Sequence, residues 1–270
     1  MTVLDGIVTG VLEDLSGRRS AVSDADIRAR AADAAPARPF LPRPADSFGI
    51  IAEVKRASPS AGALADIADP AALAAAYAAG GAAAISVLTE ERRFGGSLAD
   101  LDVVRAAVDV PLLRKDFVVT DYQIHESRAH GADIVLLIVA ALSPAQLQEF
   151  HGLAQSLGMA VLVEAHTPEE IAAAVDLGAP LVGVNTRNLK DLTVDTARFA
   201  PLAGLCPPDR TLVGESGVKS AEDVAAYAAQ GAHLALVGEA LVTGGRPRDA
   251  VAEFTAAGTT SLRARTAGAH

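Results

Sequence analysis

Lysine and glutamate recur at the ends of apolar runs in this chain. Glu53 and Lys55 alternate along IAEVKRASPS, Lys115 closes LLRK ahead of Asp116, and Glu164 ends the run VLVEAH. Asn185 and Arg187 stand in GVNTRNL, and Glu215 and Ser216 in GESGV. Two lysines and at least two glutamates, with no His/Cys/Asp spacing suited to a metal, point to general acid–base work on a carbon skeleton. A lysine near a phosphate site could also form a Schiff base with a carbonyl substrate, and the residue types alone leave that route open. His166 is a lone histidine and reads as structural.

Those groups need strands that end together. Short apolar runs recur as GIIAEV (49–54), AAISVL (83–88), PLLRK (111–115), DIVLLIV (133–139), AVLVEA (160–165), LVGVN (181–185), TLVGES (211–216) and LALVG (234–238). Runs that are continuous rather than alternating suit strands of a parallel sheet covered on both faces. Between them lie Ala-rich stretches with helical spacing, opened by Asp69-Pro70, Ser143-Pro144, Thr167-Pro168 and Ser220. They close on Gly80, Gly158, Gly178 and Gly231, where glycine can take the left-handed C-cap conformation. Eight βα units in about 220 residues predict an α/β fold of the (β/α)8 TIM-barrel type. A doubly wound open sheet is the rival, but it would want G-x-G-x-x-G after its first strand, and KRASPSAG has none. One domain is expected: a helical extension and Pro-rich connector over 1–45, the barrel over 46–257, and a frayed tail over 258–270.

Active sites of such barrels lie at the C-terminal ends of the strands, with phosphate near the seventh and eighth. GESGV and VGEAL place glycine beside helix starts at those two positions, where backbone N–H groups favour an anion. The formal net charge of −10, from 23 Lys+Arg against 33 Asp+Glu, argues against a nucleic-acid or anionic-membrane partner. It is compatible with a small phosphorylated molecule held by local cations. No apolar stretch reaches about 18 uncharged residues, so no membrane span is expected. MTVLDGIVTGVLEDL lacks the basic segment of a secretion signal, and a cytoplasmic protein is the expectation. Cys206 is the single cysteine, read as a buried or incidental thiol.

Seven segments, in order, carry a resemblance: IAEVKRASPS, ISVLTEERRFGGSL, LLRKDFVVTDYQIHESRAHGADIVLLI, VLVEAHTPEE, GVNTRNL, GESGV and VGEAL. Together they resemble the indole-3-glycerol phosphate synthases of the tryptophan pathway, over roughly residues 4 to 245. The resemblance implies a (β/α)8 barrel that converts 1-(2-carboxyphenylamino)-1-deoxyribulose 5-phosphate to indole-3-glycerol phosphate, CO2 and water, with no cofactor and no metal. It implies Lys115 as principal general acid, Lys55 as the holder of the substrate carboxylate, and Glu164 as proton acceptor. Glu53 would position these groups, and Asn185 would orient a substrate hydroxyl and Glu164. Arg187 would lie near the phosphate end, with Glu215 and Ser216 as substrate contacts. Ser58, Gly217, Gly238 and Glu239 fall at phosphate-loop positions. Phe94 is placed among the substrate contacts, although it and Phe117 suit the core equally well. A monomer or weak homo-oligomer is expected.

Three departures from the family pattern stand out. Ala61 occupies a position that is often lysine, which would weaken charge on the first loop. Gly214 precedes Glu215 where alanine is common, and reads as harmless. The connector before the first strand is shortened.

Overall fold

The computed structural model describes residues 3–41, 44, 46–58, 62–63, 67–189 and 192–268, with only the backbone of 58, 62 and 63. Eight parallel strands close a barrel in chain order: β1 (Gly49–Val54), β2 (Ala84–Leu88), β3 (Leu112–Lys115), β4 (Ile134–Ile138), β5 (Ala160–Ala165), β6 (Leu181–Asn185), β7 (Thr211–Glu215) and β8 (Leu234–Val237). All eight predicted strands are present, each within a residue or so of its expected bounds. A two-stranded antiparallel hairpin, Ala57–Ser58 with Gly62–Ala63, follows β1 and was not expected.

Strand alternation divides the apolar residues between two cores. Ile50, Ala52, Leu112, Val135, Leu137, Val161, Val163 and Val182 face outward, into the layer shared with the helices. Ile51, Leu113, Ile134, Leu136, Leu162, Leu181, Val213 and Leu234 face the barrel axis. Successive side chains of a strand point to opposite faces, so a strand covered on both faces reads as an unbroken apolar run. Two residues beyond the inward Ile51, Leu113, Leu162 and Val213 stand Glu53, Lys115, Glu164 and Glu215. The charged groups are therefore the top layer of the barrel interior.

The helix starts follow the capping signals. Asp69 and Thr167 accept from backbone N–H groups in the first turn, Ser143 forms a capping box with Gln146, and the Ser220 N–H donates to Asp223. Gly158, Gly178 and Gly231 take left-handed conformations as expected. At the fourth site the left-handed residue is Gly81 (φ +86°), not Gly80. Gly80 is needed for space instead: a Cβ there would lie 2.4 Å from the Arg248 carbonyl oxygen.

The N-terminal extension forms α1 (Val3–Ala21) and α2 (Asp24–Asp33). The expected frayed tail is a correction, because a helix runs unbroken over Pro247–Ala267. Gly258 admits the Phe48 ring, which a Cβ would approach to 2.4 Å, and Leu262 is buried. Packing on tertiary neighbours overrides the polar composition of TTSLRARTA. Among the described residues, no helix is long and apolar enough to cross a membrane.

Between Leu113 and Lys115, Arg114 points outward and is fully buried. Its guanidinium lies 2.9 Å from both Asp116 and Glu126, and donates to Thr89, Ser127 and the Gln123 carbonyl. Glu126 also accepts from Arg18 of α1 at 2.9 Å, so one buried network ties the extension to β3. Replacing Arg114 by methionine strands two buried carboxylates, and removal of one partner from a buried pair costs about 3–5 kcal/mol. Urea unfolding of Arg114→Met should show a loss of that size; a loss within about 0.5 kcal/mol, the range of an unimportant surface change, would refute the network.

Candidate active site

A cavity of about 1110 Å³, counting its open mouth, occupies the C-terminal end of the barrel. Its floor is the charged layer. Lys115 Nζ donates to Glu164 Oε2 at 3.0 Å and stands 3.7 Å from Glu215 Oε2. Glu164 Oε1 accepts from Asn185 Nδ2 at 2.9 Å. Asn185 Oδ1 accepts from the Arg187 N–H and from Ser216 Oγ, at 3.0 and 2.8 Å, which fixes its amide orientation. Across the floor, Lys55 Nζ pairs with Glu53 Oε1 at 2.5 Å.

Two glycines make room for this layer. A Cβ on Gly183 would meet Glu215 Oε1 at 2.1 Å, so β6 yields the space that the Glu215 carboxyl fills. A Cβ on Gly238 would lie 3.0 Å from Glu53 Oε1 and 3.4 Å from Lys55 Nζ. Gly238 therefore abuts the Glu53–Lys55 pair as well as lining the cavity.

Most of the predicted residues meet here. Glu53, Lys55, Phe94, Lys115, Glu164, Asn185, Arg187, Glu215, Ser216, Gly217, Gly238 and Glu239 all line the one cavity. The Ser58 side chain, Ser60 and Ala61 lie outside the described residues. Arg187 donates from Nη1 to the Leu192 carbonyl at 2.9 Å, which stretches it along the loop after β6. Phe94 and Phe117 stack tilted, with centroids 6.4 Å apart, and both line the cavity. Apolar side chains complete the lining: Leu88, Ile138 and Leu236, in register beside Lys115, Glu164 and Glu215, with Leu136, Leu189 and Ile7 of α1. These residues were not singled out in the sequence, because they share the inward parity of ordinary core.

The charges interact strongly. Burial pushes the Lys115 ammonium down, but Glu164, Glu215 and Glu53 outweigh it, and its pKa is raised. Burial pushes the Glu164 carboxyl up, yet Lys115, His166 and Asn185 hold it well below the usual carboxylate range. Glu215 goes the other way: burial and the neighbouring Glu164 charge raise it well above that range, against the pull of Lys115. The two carboxyl groups of the floor are thus pushed in opposite directions beside one ammonium, the separation that lets like groups take different roles.

His166 does not line the cavity. It is buried behind Glu164, with Nε2 3.1 Å from Glu164 Oε1 and off the line of a hydrogen bond, so that contact is Coulombic. Its Nδ1 bonds Glu170 at 3.0 Å. Burial lowers its pKa, but the two carboxylates prevail and raise it from 6.5 to about 9. Because the folded value lies above the unfolded one, the stability it adds is complete below about 6.5 and lost as pH rises through about 9. An NMR titration of the His166 ring should give a midpoint near 9, falling in Glu170→Gln; an unshifted midpoint near 6.5 would contradict this arrangement.

Barrel and charged floor define an enzyme of the (β/α)8 class with its ionisable groups gathered at the C-terminal mouth. Solved structures agree on the fold. The 3-hexulose-6-phosphate synthase from Salmonella typhimurium superposes with a TM-score of 0.65 at 14% identity, covering 81% of this chain and 100% of its own. The thiamine phosphate pyrophosphorylase from Pyrococcus furiosus gives 0.61 at 14%, covering 81% and 98%. The sequence profile of the indole-3-glycerol phosphate synthases matches residues 4–254. The chain is 58% identical to the indole-3-glycerol phosphate synthase of Paenarthrobacter aurescens (strain TC1), over 98% of this chain and 100% of that one. It is 59% identical to that of Micrococcus luteus, over 96% and 99%. The chain belongs to the indole-3-glycerol phosphate synthase family.

Proposed function

We propose that this chain closes the indole ring: it converts 1-(2-carboxyphenylamino)-1-deoxyribulose 5-phosphate to indole-3-glycerol phosphate, CO2 and water, in the formation of tryptophan. The observation that carries this reading, beside the family match, is the Lys115 ammonium held 3.0 Å from the Glu164 carboxylate, under a half-apolar cavity. In ring closure the aromatic carbon bearing the carboxylate attacks the ribulose carbonyl. Negative charge grows on that oxygen, and a buried ammonium stabilises and protonates it. Raised by its neighbours, Lys115 is charged at neutral pH and is the donor.

The new bond leaves the ring carbon tetrahedral. Loss of CO2 returns the carbon–carboxyl electron pair to the ring. Loss of water then requires an acid at the departing hydroxyl and a base for the proton on the neighbouring carbon or nitrogen. Glu164, held ionised, takes that proton. Lys55 is placed to hold the substrate carboxylate until it leaves, with Glu53 fixing its position at 2.5 Å. The aromatic ring lies against Phe94, Phe117, Leu136 and Ile138, and the phosphate lies toward Ser216-Gly217 and Gly238-Glu239, with Arg187 near it. The same reading includes Ser58 on the phosphate side, a cytoplasmic setting and a monomer or weak homo-oligomer.

Indole-glycerol fluorescence should rise when the protein meets 1-(2-carboxyphenylamino)-1-deoxyribulose 5-phosphate. Lys115→Ala should lower kcat by about 10²–10⁴-fold with a modest change in KM, the range for loss of a general acid. Normal turnover in that variant would remove Lys115 from the role. Glu164→Gln should slow dehydration and accumulate an intermediate in a single turnover; unchanged single-turnover kinetics would exclude Glu164 as the base.

A further inference from the structure

We infer that Tyr227, which lies outside the cavity on the helix Ala221–Ala229, is a positioning residue for this reaction, acting through Ser216 and Asn185 on Glu164. The inference rests on the proposed reaction and extends it to a residue that touches no substrate. Its starting point is the backbone after β7. Ser216 has φ +69° and Gly217 φ +78°, so the chain takes two successive left-handed residues as it leaves the strand. Serine does not choose that conformation, because its Cβ crowds the backbone there. Something must hold it.

The Tyr227 hydroxyl does so. It donates to the Ser216 carbonyl oxygen at 2.8 Å. Thr186 Oγ1, 3.2 Å from the same hydroxyl, donates to the Glu215 carbonyl at 3.1 Å. Two consecutive peptide groups are thereby bonded from behind the strand. The turn that results aims Ser216 Oγ at Asn185 Oδ1, 2.8 Å away. With Oδ1 occupied, Asn185 Nδ2 is presented to Glu164 Oε1 at 2.9 Å, and Glu164 keeps its other oxygen for Lys115. Tyr227 hydroxyl, Ser216, Asn185, Glu164 and Lys115 form one continuous chain of contacts.

The ring is fitted as carefully as the hydroxyl. It lies against Phe199, with centroids 4.6 Å apart, and over Gly214, where a Cβ would come within 2.8 Å of its Cδ2. Gly214 is thus not the harmless departure that it reads as in the sequence. It is the space that the Tyr227 ring uses to bring its hydroxyl under Ser216.

Tyr227→Phe tests this, because it keeps the ring and removes only the donor. Three measurements go together: its crystal structure, its steady-state kinetics with pH, and the kinetics of Ser216→Ala and of the double variant. The expected structure shows Ser216 released from its left-handed conformation and the Ser216–Asn185 bond open. The expected kinetics show kcat lowered about tenfold with KM within about twofold, and the acid limb of kcat moved to higher pH, as Glu164 loses the bond that favours its charge. A purely structural role would lower thermal stability and leave that limb in place. The double variant should lose no more than Ser216→Ala alone, because the two act in series. An unchanged turn, an unmoved acid limb, or losses that multiply in the double variant would each overturn the inference. If the wild-type protein does not convert the substrate, the proposed reaction fails, and the crystal structure of Tyr227→Phe alone decides whether Tyr227 holds the turn.

Discussion

One ammonium serves two buried carboxylates. Lys115 stands 3.0 Å from Glu164 and 3.7 Å from Glu215, and the two acids are almost wholly buried. Taking each ion out of water carries a penalty of several kcal/mol, which a single opposite charge offsets for one carboxylate and not for two. That imbalance raises the proton affinity of Glu215, whose Oε1 has no hydrogen-bond partner among the described residues and faces Gly183. Most of the surrounding structure serves that division. His166 adds positive charge behind Glu164, and Asn185 donates to the same carboxylate. Glu215 receives no such donor. The arrangement contributes little to fold stability, as buried ion pairs generally do. Its effect is to hold two carboxyl groups of unlike proton affinity side by side.

That division requires a floor sealed from below, and strand parity supplies it. The inward residues beneath the charges are Ile51, Leu113, Leu162 and Val213, all close-packed. Water cannot rise from below to screen the charges, so their mutual effects remain strong. The same parity sends Arg114 the other way, into the helical layer, where its cost is met by Asp116 and Glu126. Adjacent residues of one strand thus serve separate electrostatic systems. Lys115 belongs to the cavity floor, and Arg114 to the attachment of α1.

Sequence legibility follows the range of the forces concerned. Strand runs, helix caps and the residues at the strand ends are local signals, and they predicted the barrel and eleven of the cavity-lining residues by type and position, Phe94 being placed there only by the family resemblance. What escaped depends on distant partners. The helix over 258–267 is polar in composition, and distant partners explain it: the Phe48 ring against Gly258, the burial of Leu262, and the bonds of Thr259 to Phe48 and Ser261 to Ala225. Gly80 looks like a C-cap, but its use is set by the Arg248 carbonyl. Leu136 and Ile138 line the cavity with nothing to mark them apart from core, since an aromatic substrate and a barrel interior want the same surface. Gly214 acquires its meaning only when Tyr227, thirteen positions on, is seen lying over it.

The N-terminal extension shows which interactions hold and which merely register. Arg92 bonds Glu13 and Asp14 at 2.7 and 2.6 Å, but Arg92 and Glu13 are exposed, and solvent screens such pairs to little net effect. Ile7, Val11 and Leu15 are buried, and burying side chains of this size stabilises by about 1.5–3 kcal/mol each. Apolar burial therefore holds α1 down, while the arginines set where along its length it docks. The buried Arg18–Glu126 contact is the exception, because it continues into Arg114 and so into β3. Docking in that register places Ile7 in the lining of the same cavity as the charged floor. An apolar residue there narrows the share of the cavity open to water, as Leu113 and Leu162 close it from below. The extension, remote in sequence from every lysine and glutamate of the floor, belongs to the electrostatics of Lys115 for that reason.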